Sequence, residues 1–253
     1  METRSVILPL RTMAGCAAAA LMLVSCTQDT PVSSPSPENK NHSTVRWIPN
    51  PAADLMSPEG TFIRAATESW AAAQSTTGAP LEALRASGFP GYEHAFNNAW
   101  AAEEVFGGRN DPITVGTEYW EIVELHRDGD MYTAGVCHYF SQAADQLPDG
   151  GGYKSGGSSD IGVGQWITFG PDPKLASGKQ YSPSRNQKGP ASRPADNVFG
   201  TWVITHLNPA ATDLPQCKKL APGTPADWPK PYVRADAPPT LPNDPGWPEG
   251  SRA

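Results

Sequence analysis

Apolar residues recur at helical spacing in the first half of the chain and alternate in the second half. Ser57-Pro58-Glu59 has the form of a helix start, with Ser57 able to cap, Pro58 suited to the first turn and Glu59 complementing the dipole. Phe62, Ala66, Trp70 and Ala73 then fall on one face, and Thr76 to Gly78 ends the pattern. A shorter helix is predicted from Pro80, with Leu81 and Leu84 inward and Gly88 as its close. Phe89-Pro90-Gly91 reads as a turn. A third helical stretch runs from Tyr92 to Trp100, aligning Tyr92, Phe96 and Trp100. Beyond it, Thr117 to His126 and Met131 to Gln142 alternate around Asp128-Gly129, a strong hairpin signal. Further strands are predicted at Val163 to Phe169 and Thr201 to Leu207. The two stretches between strands, 143–160 and 170–197, read as long loops, the first glycine-rich and the second polar and basic. The pattern predicts an α+β fold, with N-terminal helices packed on a curved antiparallel sheet of about four strands.

The two ends do not follow either period. Met1 to Arg11 carries two arginines, and an alanine-rich apolar stretch from Thr12 to Val24 follows. That stretch is short for a membrane span, which needs ~20 apolar residues, and has the form of a secretory signal. Leu23-Val24-Ser25-Cys26 resembles the lipobox of bacterial lipoproteins. The resemblance implies a diacylglyceryl thioether on Cys26 and cleavage after Ser25, giving a membrane partner through two acyl chains. Residues 26–45, with Pro31, Pro35, Pro37 and several serines, are expected to be a flexible tether. The body is expected over 46–220, and 221–253 is a proline-punctuated segment expected to be extended and mobile. Trp228 and Trp247 are its odd feature, because disordered tails rarely hold tryptophan; one or both could dock on the body or on a partner. The chain also resembles the actinobacterial, especially mycobacterial, lipoproteins of unassigned function, on the strength of its lipobox, its alanine and proline richness and its cysteine pair. That resemblance implies an extracytoplasmic address and no activity.

An oxidising address gives meaning to the cysteines. Cys16 lies in the signal and Cys26 is consumed by lipid, leaving Cys137 and Cys217 as one expected disulfide. Closing a loop of that length is worth about 4.5 kcal/mol in the chain-entropy description. Neither cysteine belongs to a Cys-x-x-Cys pair, so no metal site is expected. The formal charge of −7 makes nucleic acid a poor partner.

Catalytic spacing is sparse. The chain holds no Gly-x-Ser-x-Gly, His-Glu-x-x-His, Walker loop, dinucleotide glycine set or Ser-x-x-Lys, and no cofactor is expected. Centring the hairpin turn on Asp128 and Gly129 pairs Tyr119 with His138, Glu121 with Val136, Val123 with Ala134 and Leu125 with Tyr132. That register puts Tyr119, Glu121 and His138 among apolar neighbours, while Glu118, Glu124, His126 and Thr133 share the other face with Trp120, Ile122 and Cys137. A carboxylate and an imidazole in such a setting can act as acid and base. The same two side chains, where strand ends emerge from a core, can also be wet or simply satisfy each other. Helices followed by a curved sheet resemble the cone-shaped NTF2-like fold in order of elements. The resemblance implies that the apolar face lines a cavity, making Glu121, His138 and Tyr119 the candidate catalytic residues. Three functions are compatible with these features: an anchored binding or interaction module without catalysis, a small enzyme using Glu121 and His138, and a structural protein contacting envelope polymers through the basic loop and the tail tryptophans.

Overall fold

The computed structural model describes residues 36–97, 106–107, 112–155, 162–224 and 233–250. The lipobox with Cys26, the end of the expected third helix at Trp100, and Trp228 lie outside the described residues.

The fold is α+β. In chain order the elements are β1 (Thr44–Ile48), α1 (Pro58–Gln74), α2 (Pro80–Ser87), α3 (Tyr92–Phe96), β2 (Thr114–Asp128), β3 (Met131–Tyr139), β4 (Ala143–Gln146), β5 (Tyr153–Ser155), β6 (Val163–Pro171), β7 (Trp202–Ala211) and β8 (Val233–Arg234). α1 starts as its sequence predicts: the Ser57 hydroxyl accepts the Gly60 N–H at 3.0 Å, and Pro58 opens the first turn. Phe62, Ala66, Trp70 and Ala73 are all buried. α2 buries Ala83 and Leu84, whereas Leu81 is exposed and does not face inward. α3 stops at Asn97, whose left-handed backbone closes the helix.

The sheet has eight strands among the described residues, not about four, in the order β7-β6-β3-β2-β4-β5-β8, with β1 parallel to β2. Two of the extra strands, β4 and β5, come from the glycine-rich stretch expected to be a loop. β8 comes from the expected tail, and β1 starts in the last two residues of the expected tether and runs into the expected body. Alternation is weak in such short segments, and their pairing is set by the long strands beside them. The basic stretch 170–197 is irregular apart from the end of β6 and a short 3₁₀ turn at Ser177–Lys179.

The β2–β3 register differs from the expected one in two ways. Asp128 pairs with Met131, so Gly129 and Asp130 form the two-residue turn. Gly129 has φ +60° at the first central position, which glycine supplies at no steric cost. A bulge at Val123 then inserts one residue between Ile122 and Glu124. Because strand side chains alternate, one extra residue moves everything before it to the opposite face. Trp120 and Ile122 therefore join Ala134, Val136, Ile167 and Phe169 against α1, with Phe62 stacked on Phe169 at 4.6 Å. Each such large apolar side chain contributes roughly 1.5–3 kcal/mol on burial. Tyr119, Cys137 and Tyr139 face the other way, into a smaller cluster with Leu214, Cys217 and Ala221. There Cys137 and Cys217 form a disulfide, 5.1 Å between Cα atoms, tying β3 to the segment that leaves β7.

The described parts of both expected flanking segments belong to the body. The Lys40 N–H donates to Ser75, the His42 N–H to Thr114, and β1 pairs with β2. Residues 233–250 dock rather than extend: the Asp244 carbonyl accepts the Trp47 N–H, and Trp247 exchanges backbone bonds with Ala191. Trp247 is 1% exposed. Its indole supplies the apolar area that a proline-rich strap otherwise lacks.

Candidate functional site

Between α1 and the sheet face that covers it lies a cleft made of two cavities, of about 370 and 420 Å³. The first lies beside the segment Asn39–Val45, Phe89 and Arg193, and the second reaches Trp70, Phe140, Asp145 and Gln165. Asn41, Ala71, Glu118 and Trp120 border both. Such volumes lie in the range of small-molecule sites.

Glu118 is the polar centre of the cleft. β2 directs it inward because the Val123 bulge puts it on the same face as Trp120. Its side chain is buried, with three donors: Asn41 Nδ2 at 2.9 Å and Ser43 Oγ at 2.8 Å on one oxygen, and His138 Nε2 at 2.7 Å on the other. Burial pushes its carboxyl up, but the imidazole and the Ser43 and Asn41 donors outweigh it and hold the pKa below its ordinary value. Glu118 is thus a buried carboxylate kept ionised by its surroundings. His138 lies flat on Trp120, ring centroids 3.8 Å apart and planes 4° apart, with Phe140 edge-on at 5.1 Å. Because Glu118 accepts, Nε2 carries a proton, and in the neutral ring Nδ1 keeps its lone pair. Nδ1 has no hydrogen-bond partner among the described residues. The Trp120 indole N–H, buried, also has none.

The residues expected to act together are divided between the two faces. His138 lies in the cleft as anticipated, but its carboxylate is Glu118. Glu121 and Tyr119 are on the opposite face with the disulfide. Glu121 there accepts Asn50 Nδ2 at 2.9 Å, the Tyr139 hydroxyl at 2.8 Å and Lys219 Nζ at 2.7 Å. Burial raises its pKa, but Lys219, Asn50 and Tyr139 together bring it below the ordinary value. Burial and the Glu121 carboxylate push the Tyr139 hydroxyl far up. This is a satisfied structural anchor and carries no free acid or base. The split has a direct test. Glu118→Gln is expected to move the His138 ring nitrogens in long-range ¹H–¹⁵N spectra, and Glu121→Gln to leave them in place. Losing this charge-assisted bond costs about 1.5–3 kcal/mol. Movement with Glu121→Gln instead would restore the unbulged register.

A second buried carboxylate borders the first cavity. Glu68 accepts the Trp47 indole N–H at 2.8 Å on one oxygen and that of Trp247 at 2.7 Å on the other. One turn earlier, Arg64 is fully buried, its guanidinium 4.3 Å from the Trp247 ring centroid and bonded to the carbonyls of Gln187, Pro245 and Gly246. In the sequence, Arg64 and Glu68 have the i,i+4 spacing of an exposed ion pair, and nothing in it points to two tryptophans 200 residues apart in the chain converging on them.

Among the described residues, no group of three or more histidines, cysteines or acids is placed to hold a metal ion, and no helix is long and apolar enough to cross a membrane. No protein-family model, curated protein or solved structure matches this chain.

Proposed function

We propose that this chain is a lipid-anchored binding module on the extracytoplasmic face of the bacterial cell envelope, and that its ligand occupies the cleft centred on Glu118, His138 and Trp120. The observation that carries the binding half is the buried, ionised Glu118 at the junction of two cavities, beside an imidazole nitrogen and an indole N–H without partners. A purely structural cleft gains nothing from leaving the buried Trp120 N–H unpaired, since an unmet buried donor costs about 1–3 kcal/mol. The anchor half rests on Leu23-Val24-Ser25-Cys26 and the actinobacterial-type lipoprotein character of the N-terminus. The arrangement of helices over one sheet face is read here as NTF2-like.

The unpartnered Nδ1 favours a second reading, in which Glu118 orients His138 as a general base toward a small substrate. The polymer-contact reading keeps the cations of 170–197 but loses Trp247, which is spent on the interior. The anchor is tested in cells. Cys26→Ala is expected to leave uncleaved precursor or released protein, and globomycin to make precursor accumulate. A freely soluble mature protein that is indifferent to globomycin contradicts the anchor.

A further inference from the structure

Resting on the reading of the cleft as a ligand site, we infer that its first cavity takes a small uncharged ligand rich in hydroxyl groups, a sugar ring or similar polyol. The polar side chains that carry this inference fall into two sets. One set offers donors. Asn39 and Asn243 spend their side-chain oxygens on the Asn41 and Val45 N–H groups, at 2.9 and 2.8 Å, and neither amide nitrogen has a partner among the described residues. The Ser192 hydroxyl has none either. Arg193 gives Nη2 to the Gly88 carbonyl at 2.9 Å, while its Nε and Nη1 groups are uncommitted. The Trp120 N–H, buried and unpaired, belongs to the same lining. The other set offers acceptors. Glu68 takes one indole N–H on each oxygen, and the Glu118 oxygen that meets His138 takes no other bond. A carboxylate oxygen has two lone pairs, so ionised Glu68 and Glu118 both keep accepting capacity. The charges offset one another: Glu68 has Arg64 as its counter-charge, and Arg193 shares the lining with Glu118. An ammonium ligand uses only the acceptors, and a carboxylate ligand uses only the donors. A hydroxyl both donates and accepts, so a ligand carrying several of them satisfies both sets at once without adding charge. Phe89 and Trp120 give the wall its apolar part, suiting the C–H groups of such a ring. The second cavity differs, since Asn39, Asn243, Ser192 and Arg193 border only the first.

The test uses probes with one ring skeleton, titrated calorimetrically into the full chain in a detergent without a sugar headgroup, at pH 8, where Glu68 is ionised. The neutral sugars are methyl β-glucopyranoside, methyl β-galactopyranoside and methyl α-mannopyranoside. Methyl β-glucuronide is the anion, methyl β-glucosaminide the amine, and 2-methoxytetrahydropyran the ether without hydroxyls. At least one neutral sugar is expected to bind about tenfold or more tightly than the ether, which lacks its hydrogen bonds, and more tightly than either of the other two. Ser192 is exposed and bonded to no other side chain, so Ser192→Ala spares the fold and should weaken that sugar about fivefold. Ala71 borders both cavities, and Ala71→Trp, which fills the cleft from α1, should abolish binding. Equal or tighter binding of the ether, tighter binding of the anion or the amine than of every neutral sugar, or no binding of any probe overturns the sugar inference. Sugar binding that Ser192→Ala leaves unchanged overturns it as well, and exclusion by Ala71→Trp then places that sugar in the second cavity. Any probe that binds and is excluded by Ala71→Trp keeps the cleft as a ligand site. Binding of every probe unaffected by Ala71→Trp counts against both.

Discussion

Replacing Trp247 with Ala is expected to destabilise the fold by about 3–5 kcal/mol, the cost of truncating a fully buried large aromatic. The indole fastens the C-terminal strap in three ways: it donates to Glu68, lies beneath the Arg64 guanidinium, and meets the Phe89 ring edge-on at 5.5 Å. Removing it also takes the aromatic partner from a buried cation and one donor from a buried carboxylate. The surroundings cannot collapse into the space, because Gly189 and Gly246 already bring two backbones together: a Cβ on either would lie 2.4 Å from a carbonyl oxygen. Trp247→Phe keeps the ring but loses the N–H, and should cost less than the alanine. Urea unfolding measures both, and hydrogen exchange at 243–248 locates the loss. A midpoint within 0.5 kcal/mol of the parent would show that the strap contributes nothing to the body.

Stability is also expected to fall as pH rises from 5 to 8. Burial raises the Glu68 pKa from 4.5 to about 7, against the opposing pull of Arg64 and the two indole donors. Below 4.5, Glu68 is protonated whether the chain is folded or not. Between 4.5 and 7 the unfolded chain gives up its proton while the folded chain keeps it, so the folded state loses ground as pH increases. Above 7 the full penalty is felt, about 3 kcal/mol at 1.36 kcal/mol per pH unit. Groups with depressed pKa values, such as Glu118 and Glu121, lose their contribution on the acid side, as pH falls through their folded values. Arg64 is the charge that acts on this carboxylate, and Asp244 acts in turn on Arg64. Glu68→Gln should remove the extra slope between pH 5 and 8 when its urea midpoints are compared with the parent. Parallel curves would mean that Glu68 does not titrate in this window.

Much of the fold could be read where local chemistry dictates it. Ser57-Pro58 and the Phe62, Ala66, Trp70, Ala73 stripe gave α1 its start and its buried face, and Gly129 placed the β2–β3 hairpin to within one residue. Cys137 and Cys217 are joined as their number and spacing suggested. What could not be read depends on long-range pairing. Val123 is an ordinary strand residue, and nothing local marks it as the bulge that exchanges Glu121 for Glu118 beside His138. β1 and β8 are too short and too proline-flanked to alternate, so their strand character appears only against β2 and β5. Nothing local marks Arg64 and Glu68 as buried, because the strap that covers them arrives from the other end of the chain. His138 was legible as a candidate, and its partner was misplaced by a single inserted residue.

Native mass spectrometry of the protein extracted in detergent from its own envelope tests the central claim most directly. The account predicts a chain beginning at Cys26 with covalently attached acyl groups, carrying a non-covalent small molecule that Ala71→Trp eliminates without unfolding the protein. An unlipidated chain, or wild-type and Ala71→Trp proteins with the same non-covalent content, contradicts it.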